Sequence, residues 1–106
     1  MVTVEWSEKE KLIAQKAFAL AYEREIRSIM VTVRQQSESI TELDDVWRLH
    51  DYLSSKRYEI DGKYDFRDSA LVFVFADLVK SGLLSVDELA GLESSKLVKI
   101  SALTRM

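Results

Sequence analysis

Apolar side chains recur every three or four residues across the middle of this chain, and this spacing constrains the fold more than any other feature. The row starts at Ile26 and is mostly aliphatic as far as Leu43. It continues with the same spacing through Trp47, His50 and Arg57. A row of this kind lies along one side of an α-helix and forms a seam against a partner helix. The sequence therefore predicts a helical first half.

The second half of this seam is unusually polar. The chain's single histidine, His50, and the arginine Arg57 occupy positions where apolar residues are expected, next to the large aromatic side chain of Trp47. A polar group on a packing surface lowers stability unless it is paired. We therefore expect this segment to specify a partner or to carry the function.

A long helical arm is predicted for residues 7–62. Ser7 and Glu10 form a Ser-x-x-Glu capping box, which marks a helix start. The seam keeps its phase where the pattern weakens between residues 36 and 41, so we expect one long helix or two nearly collinear helices that end near Gly62. The first part of the arm is carried by four apolar residues, Leu12, Ile13, Ala17 and Leu20.

A compact helical head is predicted for residues 65–106. Its first segment is ambiguous, because Leu71–Phe75 is β-branched and aromatic and is typical of a strand when taken alone. The apolar residues continue beyond it and Gly82 supplies a helix stop, so we predict a helix over residues 66–81. On that helix Phe73 shares a face with polar residues, which makes it a candidate exposed anchor.

Two further helices complete the predicted head. A second Ser-x-x-Glu capping box at Ser85 starts a short helix that ends near Ala90. A last helix is expected to run to about Leu103, with Lys96 and Lys99 on its outer side. The fold class is thus all-α, a long helical arm with a compact head. The uncovered seam predicts a two-fold dimer.

Composition excludes several classes of protein. The chain has 106 residues, no cysteine and a net charge of −3, which fits one small domain without disulfides or thiolate chemistry. No basic stripe is visible, which argues against nucleic acid as the main partner. The longest apolar run, Ala70–Ala76, is too short to cross a bilayer. The lead-in Met1–Trp6 lacks the pattern of a signal peptide.

Catalytic and metal-binding motifs are not found in the sequence. One histidine cannot build a multi-histidine metal site, and we expect no cofactor. His50 and Asp51 are adjacent on a helix and should point about 100° apart, so no catalytic dyad is expected. A histidine phosphotransfer domain that uses His50 is one alternative, although Asp51 would repel a phosphoryl group. A generic dimeric helical adaptor is another.

A long run of specific residues surrounds this segment: Asp44-Asp45-x-Trp47-x-Leu49-His50-Asp51-x-Leu53-Ser54-x-Lys56-Arg57-x-Glu59-Ile60-Asp61-Gly62-Lys63-Tyr64-Asp65-x-Arg67. Further matches follow at Phe73-Val74-Phe75-Ala76 and at Lys99-Ile100-x-Ala102-Leu103. Together they resemble the fluorescence recovery protein family of cyanobacteria, over most of the chain.

The resemblance implies an all-helical, dimeric regulator of photoprotection that is not an enzyme. It implies binding to the light-activated red form of the orange carotenoid protein, chiefly to the C-terminal domain of that protein. The implied effect is a faster return to the inactive orange form, detachment from the phycobilisome and restored antenna fluorescence. Such a protein would act in the cytoplasm, at the cytoplasmic face of the thylakoid membrane.

The resemblance also implies roles for individual residues. The dimer interface and activity are implied for Val46, Trp47, His50, Asp51 and Arg57. Partner binding is implied for Phe73 and Lys99 in the head. Phe66 departs from the family pattern, in which acidic residues also occur, and is expected to alter the edge of the head surface.

Overall fold

The computed structural model describes residues 5–106, and this part of the chain is helical without any β-strand. It contains four α-helices and one short 3-10 helix. These are α1 (Glu8–Glu38), α2 (Leu43–Lys63), α3 (Leu71–Lys80), the 3-10 helix (Val86–Leu89) and α4 (Ser94–Thr104). The all-α prediction is confirmed. The first four residues of the predicted lead-in lie outside the described residues.

The capping box predicted at the start of the arm is present. The Ser7 hydroxyl accepts a hydrogen bond from the Glu10 N–H at 3.1 Å, and the Glu10 carboxylate accepts one from the Ser7 N–H at 3.1 Å. These bonds satisfy backbone donors that have no partner inside the helix. Helix α1 therefore begins where the sequence signal lies.

The prediction of one long or two nearly collinear helices is wrong, because the chain reverses between α1 and α2. A straight helix over residues 8–63 would be about 84 Å long, whereas the longest dimension of the structure is 55 Å. Instead, the end of α2 returns to the middle of α1. The Lys63 ammonium lies 3.1 Å from the Glu25 carboxylate, and the Tyr64 hydroxyl donates to the same carboxylate at 2.7 Å.

The reversal is made by polar side chains at residues 39–42 rather than by proline or glycine. The Ser39 hydroxyl donates to the Gln35 carbonyl at 3.1 Å in the last turn of α1. Asp45 then accepts hydrogen bonds from the Thr41 and Glu42 N–H groups, both at 3.1 Å, and starts α2. These two backbone bonds lower the pKa of Asp45. Each side chain ends or begins a helix locally and leaves the seam spacing unchanged.

The hydrophobic core joins the head to the first half of α1. The buried residues of α1 form a stripe at spacings of three and four, Glu10, Ala14, Ala17, Ala21 and Glu25. The alanines let the head approach the helix closely. Leu12, which was expected to carry this helix, is 66% exposed. Ala17 lies in the buried stripe, and Ile13 and Leu20 are half-buried against the core, so the predicted inward face is correct apart from Leu12.

Helix α3 settles the ambiguity of the apolar segment in favour of a helix. Its buried residues, Leu71, Val72, Phe75, Ala76 and Leu78, follow helical spacing. Phe75 is fully buried, and its ring lies 5.2 Å from that of Phe18 and 6.3 Å from that of Trp6, centroid to centroid. The helix is covered on two sides, which is why its sequence is as apolar as a buried strand.

Gly82 and Gly91 lie in turns, whereas Gly62 does not cap a helix. Gly82 and Gly91 have positive φ angles of 79° and 105°. A Cβ atom at Gly91 would lie 2.6 Å from the Ile13 Cδ1 atom, so this turn packs directly on α1. Gly62 lies inside α2, which ends at Lys63, so the predicted cap at Gly62 is wrong.

Lys96, which was expected to face outward, is buried in an ion pair with Glu10. Its ammonium lies 2.7 Å from the Glu10 carboxylate and 4.6 Å from the centre of the Trp6 ring. The other Glu10 oxygen accepts a hydrogen bond from the Glu93 N–H at 3.0 Å, just before α4. Burial alone would raise the pKa of Glu10. The bonds from Lys96, Glu93 and Ser7 outweigh this effect and hold that pKa at about 2.

This cluster predicts a specific loss of stability in acid. The pKa of Glu10 falls from its ordinary value of 4.5 to about 2 on folding. Its carboxylate therefore stabilises the fold above about pH 4.5, by about 3 kcal/mol, and the contribution disappears as the pH falls to about 2. We expect Glu10→Gln to lower the free energy of unfolding at pH 7 by about 3 kcal/mol. Urea unfolding followed by circular dichroism measures this.

Glu8→Gln is the matched control, because Glu8 is exposed in the same helical turn. It should leave the free energy of unfolding near that of the parent. The difference between Glu10→Gln and the parent should shrink between pH 5 and pH 2. A difference that stays constant over this range would contradict the assigned role of the Glu10 carboxylate.

Candidate partner-binding surfaces

Helix α2 is largely exposed, with a single half-buried row along it that includes Leu49, Tyr52 and Ile60. None of its residues is buried. Val46 is 39% exposed and Trp47 is 55% exposed, although both are apolar or aromatic. Single exposed apolar residues are ordinary, but a row of them marks an interaction surface. The segment expected to carry the dimer interface is thus accessible in the single chain.

Trp47, His50 and Asp51 form one small cluster on this surface. The Trp47 and His50 rings meet edge to face with their centroids 6.2 Å apart. The His50 Nδ1 atom lies 3.4 Å from an Asp51 carboxylate oxygen, so these two neighbours do touch, contrary to the expectation from helical geometry. Both side chains are largely exposed. A long contact between solvated groups is weak, and it does not build a catalytic pair.

Arg57 lies further along α2 and is also exposed. Within residues 5–106 Arg57 forms no ion pair with Asp51, whose carboxylate contacts the neighbouring His50 ring instead. Six residues separate Asp51 and Arg57, and one helix cannot bring them together. Of the five residues expected at the dimer interface, the structure therefore groups three in one cluster and leaves Val46 and Arg57 apart.

Apolar residues outside the predicted set enlarge this surface. On α2, Leu43 is 66% exposed and Tyr58 is 84% exposed, and Leu53 is partly exposed as well. Met30 and Val31 on the second half of α1 are also exposed. Leu43 lies on the seam predicted from the sequence. Tyr58 lies off this seam, so its exposure is evident only from the structure.

A second surface lies on the head around Phe73. Its ring is 59% exposed, as predicted, and it borders a groove of about 390 Å³. Val74, Leu103 and Met106 also line this groove, which is therefore mostly apolar. The Lys80 ammonium closes one end by donating to the Met106 carbonyl at 3.0 Å. An exposed aromatic ring beside an apolar groove is a plausible anchor site for another protein.

The remaining head residues lie apart from this groove. Lys99 is exposed on α4, as predicted, but it is not among the residues that line the groove. Phe66 packs edge to face against Phe18, with centroids 5.1 Å apart, and remains 36% exposed. Phe66 thus adds an aromatic ring at the margin of the core.

The described residues offer no arrangement suited to a metal ion. Within residues 5–106, no group of three or more histidine, aspartate or glutamate side chains is placed to hold one. In the same residues, no helix combines the length and apolarity needed to cross a bilayer.

Comparison with known proteins identifies the family. The sequence model of one protein family, described as photoprotection regulator fluorescence recovery protein, matches residues 6–104 of this chain. The chain belongs to the fluorescence recovery protein family. A fluorescence recovery protein from a Synechocystis strain is 50% identical over 101 residues, which cover 95% of this chain and 93% of that protein.

Solved structures of family members share the fold. The fluorescence recovery protein of Fremyella diplosiphon is 56% identical and superposes with a TM-score of 0.92, over 96% of this chain and all of that one. The Synechocystis protein is 49% identical with the same TM-score and the same coverage. The resemblance inferred from the sequence is therefore confirmed, and the chain is a member of a family of photoprotection regulators.

Proposed function

We propose that this chain is a dimeric, non-enzymatic regulator that binds the photoactivated orange carotenoid protein and accelerates its return to the orange form. The observation that carries this proposal is the exposure of α2. That helix bears the family's most specific run of residues, and it has no buried residue of its own. Only one row of this 21-residue helix is half-buried, so most of its surface is available to partners.

The dimer is proposed to form through α2 and the second half of α1. Val46, Trp47 and Leu43 supply exposed apolar area, and Met30 extends it onto α1. A stable interface buries about 1,500 Å² in total. Two copies related by a two-fold axis would present the same patch to each other, which suits a self-complementary contact.

Asp51 and Arg57 are proposed to pair between the two chains. Each is exposed and the two are unpaired with one another in the single chain. In an antiparallel arrangement, Asp51 of one protomer lies near Arg57 of its partner. Trp47 and His50, which already contact each other, would shield that pair from water. A shielded pair is costly to break from one side.

The head is proposed to bind the carotenoid protein. Phe73 offers an exposed ring at the edge of an apolar groove, and Lys99 offers a solvated charge on α4. Aromatic residues commonly contribute most of the binding energy at an interface, and charges mainly affect partner choice and association rate. The activated form would be recognised chiefly through its C-terminal domain.

Acceleration of a relaxation requires stronger binding to its transition state than to its starting state. A dimeric scaffold achieves this without covalent chemistry by holding two separated domains of its partner close together, which raises their effective concentration. The same binding favours release of the carotenoid protein from the phycobilisome. We propose that the chain acts where the phycobilisome lies, at the cytoplasmic face of the thylakoid membrane.

The dimer proposal predicts that Val46→Glu weakens association. A carboxylate introduced into the apolar contact would lose its hydration on dimerisation, which opposes burial. We expect the parent to be a dimer at micromolar concentration and the variant to dissociate at least about tenfold more readily. Light scattering coupled to size exclusion measures both masses. A monomeric parent would contradict the dimer itself.

The proposed ion pair predicts coupling between positions 51 and 57. Asp51→Leu and Arg57→Leu should each weaken the dimer, because each leaves one charge without a partner. The double variant should lose less than the sum of the two single losses, with a coupling energy of about 1–3 kcal/mol. A double-mutant cycle on the dimer dissociation constant gives this value. Coupling near zero, or activity lost with an unchanged dimer, would favour direct contact with the carotenoid protein instead.

The partner proposal is tested by mixing the chain with photoactivated orange carotenoid protein and timing the recovery of the orange colour. The parent should shorten the recovery. Phe73→Ala should weaken binding by about 1–3 kcal/mol and leave the dimer intact.

Val98→Ala is a suitable control, because Val98 is another exposed apolar residue of the head, is 68% exposed and does not line the groove. It should bind like the parent. Lys99→Glu should weaken binding in a manner that depends on salt concentration. If Phe73→Ala binds as tightly as the parent, the groove beside Phe73 is not the contact surface.

A further inference from the structure

Three side chains tie the end of α2 to the middle of α1, and we name Glu25, Lys63 and Tyr64 the junction triad. Glu25 is buried at 6% exposure although it is a carboxylate on a helix surface. One of its oxygens accepts a hydrogen bond from the Tyr64 hydroxyl at 2.7 Å, and the other lies 3.1 Å from the Lys63 ammonium. The Lys63 side chain is itself only 14% exposed.

Aromatic rings enclose the triad. The Tyr64 ring meets those of Phe18 and Tyr22 edge to face, at centroid distances of 5.6 and 5.5 Å. Burial and the adjacent Glu25 carboxylate raise the pKa of Tyr64, so its hydroxyl remains a donor at neutral pH. The hydrogen bonds are therefore short, directional and partly shielded from water, which are the conditions under which such bonds fix a geometry.

The triad occupies the connection between the two proposed functional surfaces. α2, with Val46 and Trp47, ends at Lys63, and the segment after Tyr64 leads directly into the head. That segment is itself fixed, because the Trp6 indole N–H donates to the Asp68 carbonyl at 3.1 Å. α2 has no buried residue and only a half-buried row that includes Leu49, Tyr52 and Ile60, so its packing is loose and the triad adds to what fixes its direction.

A buried ion pair is a weak source of stability, because apolar residues of similar size do as well or better. Its advantage is direction, since hydrogen bonds tolerate one orientation and apolar contacts tolerate several. In this chain the direction that the triad can fix is that of α2 relative to the head. Here α2 carries the proposed dimer surface, and its end at Gly62 and Lys63 borders the groove beside Phe73.

We infer that the junction triad is a positioning element, which holds α2 at a fixed angle to the head so that the dimer presents its two Phe73 surfaces at a set separation. This inference rests on the proposed function, because the separation matters only if both heads act on one partner molecule. Loss of the triad leaves Phe73 and the apolar lining of its groove in place, although Lys63 itself also lines that groove. Such a loss removes the defined spacing on which acceleration depends.

The test replaces the triad by apolar residues of similar size, in the variant Glu25→Met, Lys63→Met and Tyr64→Phe combined. No charge is left stranded, so the helical content should stay that of the parent. The second variant, Glu25→Gln with Tyr64→Phe, disrupts the triad but keeps Lys63, which also lines the groove beside Phe73. The matched control is Glu23→Gln, since Glu23 lies two residues from Glu25 and pairs with Arg27 at 2.7 Å on the open surface.

Distances between α2 and the head provide the first measurement. The chain has no cysteine, so Ser55→Cys and Ser95→Cys, both at exposed positions, give two unique sites for spin labels. Dimers prepared with excess unlabelled chain remove distances between protomers. We expect one narrow distance for the parent and for Glu23→Gln, and a clearly broader distribution for the triple variant. An unchanged distribution in the triple variant would overturn the inference.

Recovery kinetics provide the second measurement, and they separate positioning from binding. The rate of colour recovery is measured against the concentration of each variant with photoactivated carotenoid protein. We expect the half-saturating concentration of Glu25→Gln with Tyr64→Phe, which keeps the groove residue Lys63, to stay near that of the parent and its plateau rate to fall at least about fivefold. A plateau equal to that of the parent, despite a broadened distance, would overturn the functional part of the inference.

The outcomes also separate this inference from the proposed function. If the parent itself does not accelerate recovery, the proposed function fails, and the distance measurement alone decides whether the triad fixes α2. If the parent is active and Glu25→Gln with Tyr64→Phe loses affinity and plateau rate together, the triad contributes to the contact surface and not to positioning, which contradicts the inference.

Discussion

Two buried carboxylates on α1 determine where the rest of the chain lies. Glu10 and Glu25 stand at the two ends of a stripe of alanines, and each is only a few per cent exposed. Glu10 binds Lys96 of α4, and Glu25 binds Lys63 at the end of α2. Three alanines between them bury little area, so the stripe alone would specify a position poorly. The two ion pairs supply the register that the small side chains cannot.

This stripe also explains which parts of the fold the sequence could predict. Capping boxes at Ser7 and Ser85 and the stop at Gly82 are local signals, and each was found from a few neighbouring residues. The reversal after Glu38 was missed because its turn contains no proline or glycine and the seam happens to keep its spacing through it. On α1, Ile13, Ala17 and Leu20 lie toward the core as predicted, but the burial of Glu10 and Glu25 was not predicted, because periodicity is judged from apolar residues.

The candidate surfaces were predicted more completely than the contacts that hold them. Phe73 was predicted as an exposed aromatic because it lies on a helical face with polar residues, and Trp47 was predicted on the packing seam; both are exposed in the structure. Lys96 and Lys99 had the same sequence signal, yet one is buried and the other is not. A lysine's partner 86 residues away cannot be inferred from its own helix. The same holds for Glu25, because acids on a helix are usually solvated.

The pairing of Glu10 with Lys96 has a consequence for the order in which this protein folds. It closes a loop of 86 residues, and the Trp6–Asp68 bond closes one of 62. Closing long loops costs chain entropy and slows folding, so these contacts form after local helices. During synthesis α1 and α2 leave the ribosome well before Lys96 does. The inner stripe of α1 is then exposed to solvent, but its alanine side chains present little apolar area for non-native contacts. A helix face of small residues is therefore compatible with late packing, and the nascent chain can form its core contacts last.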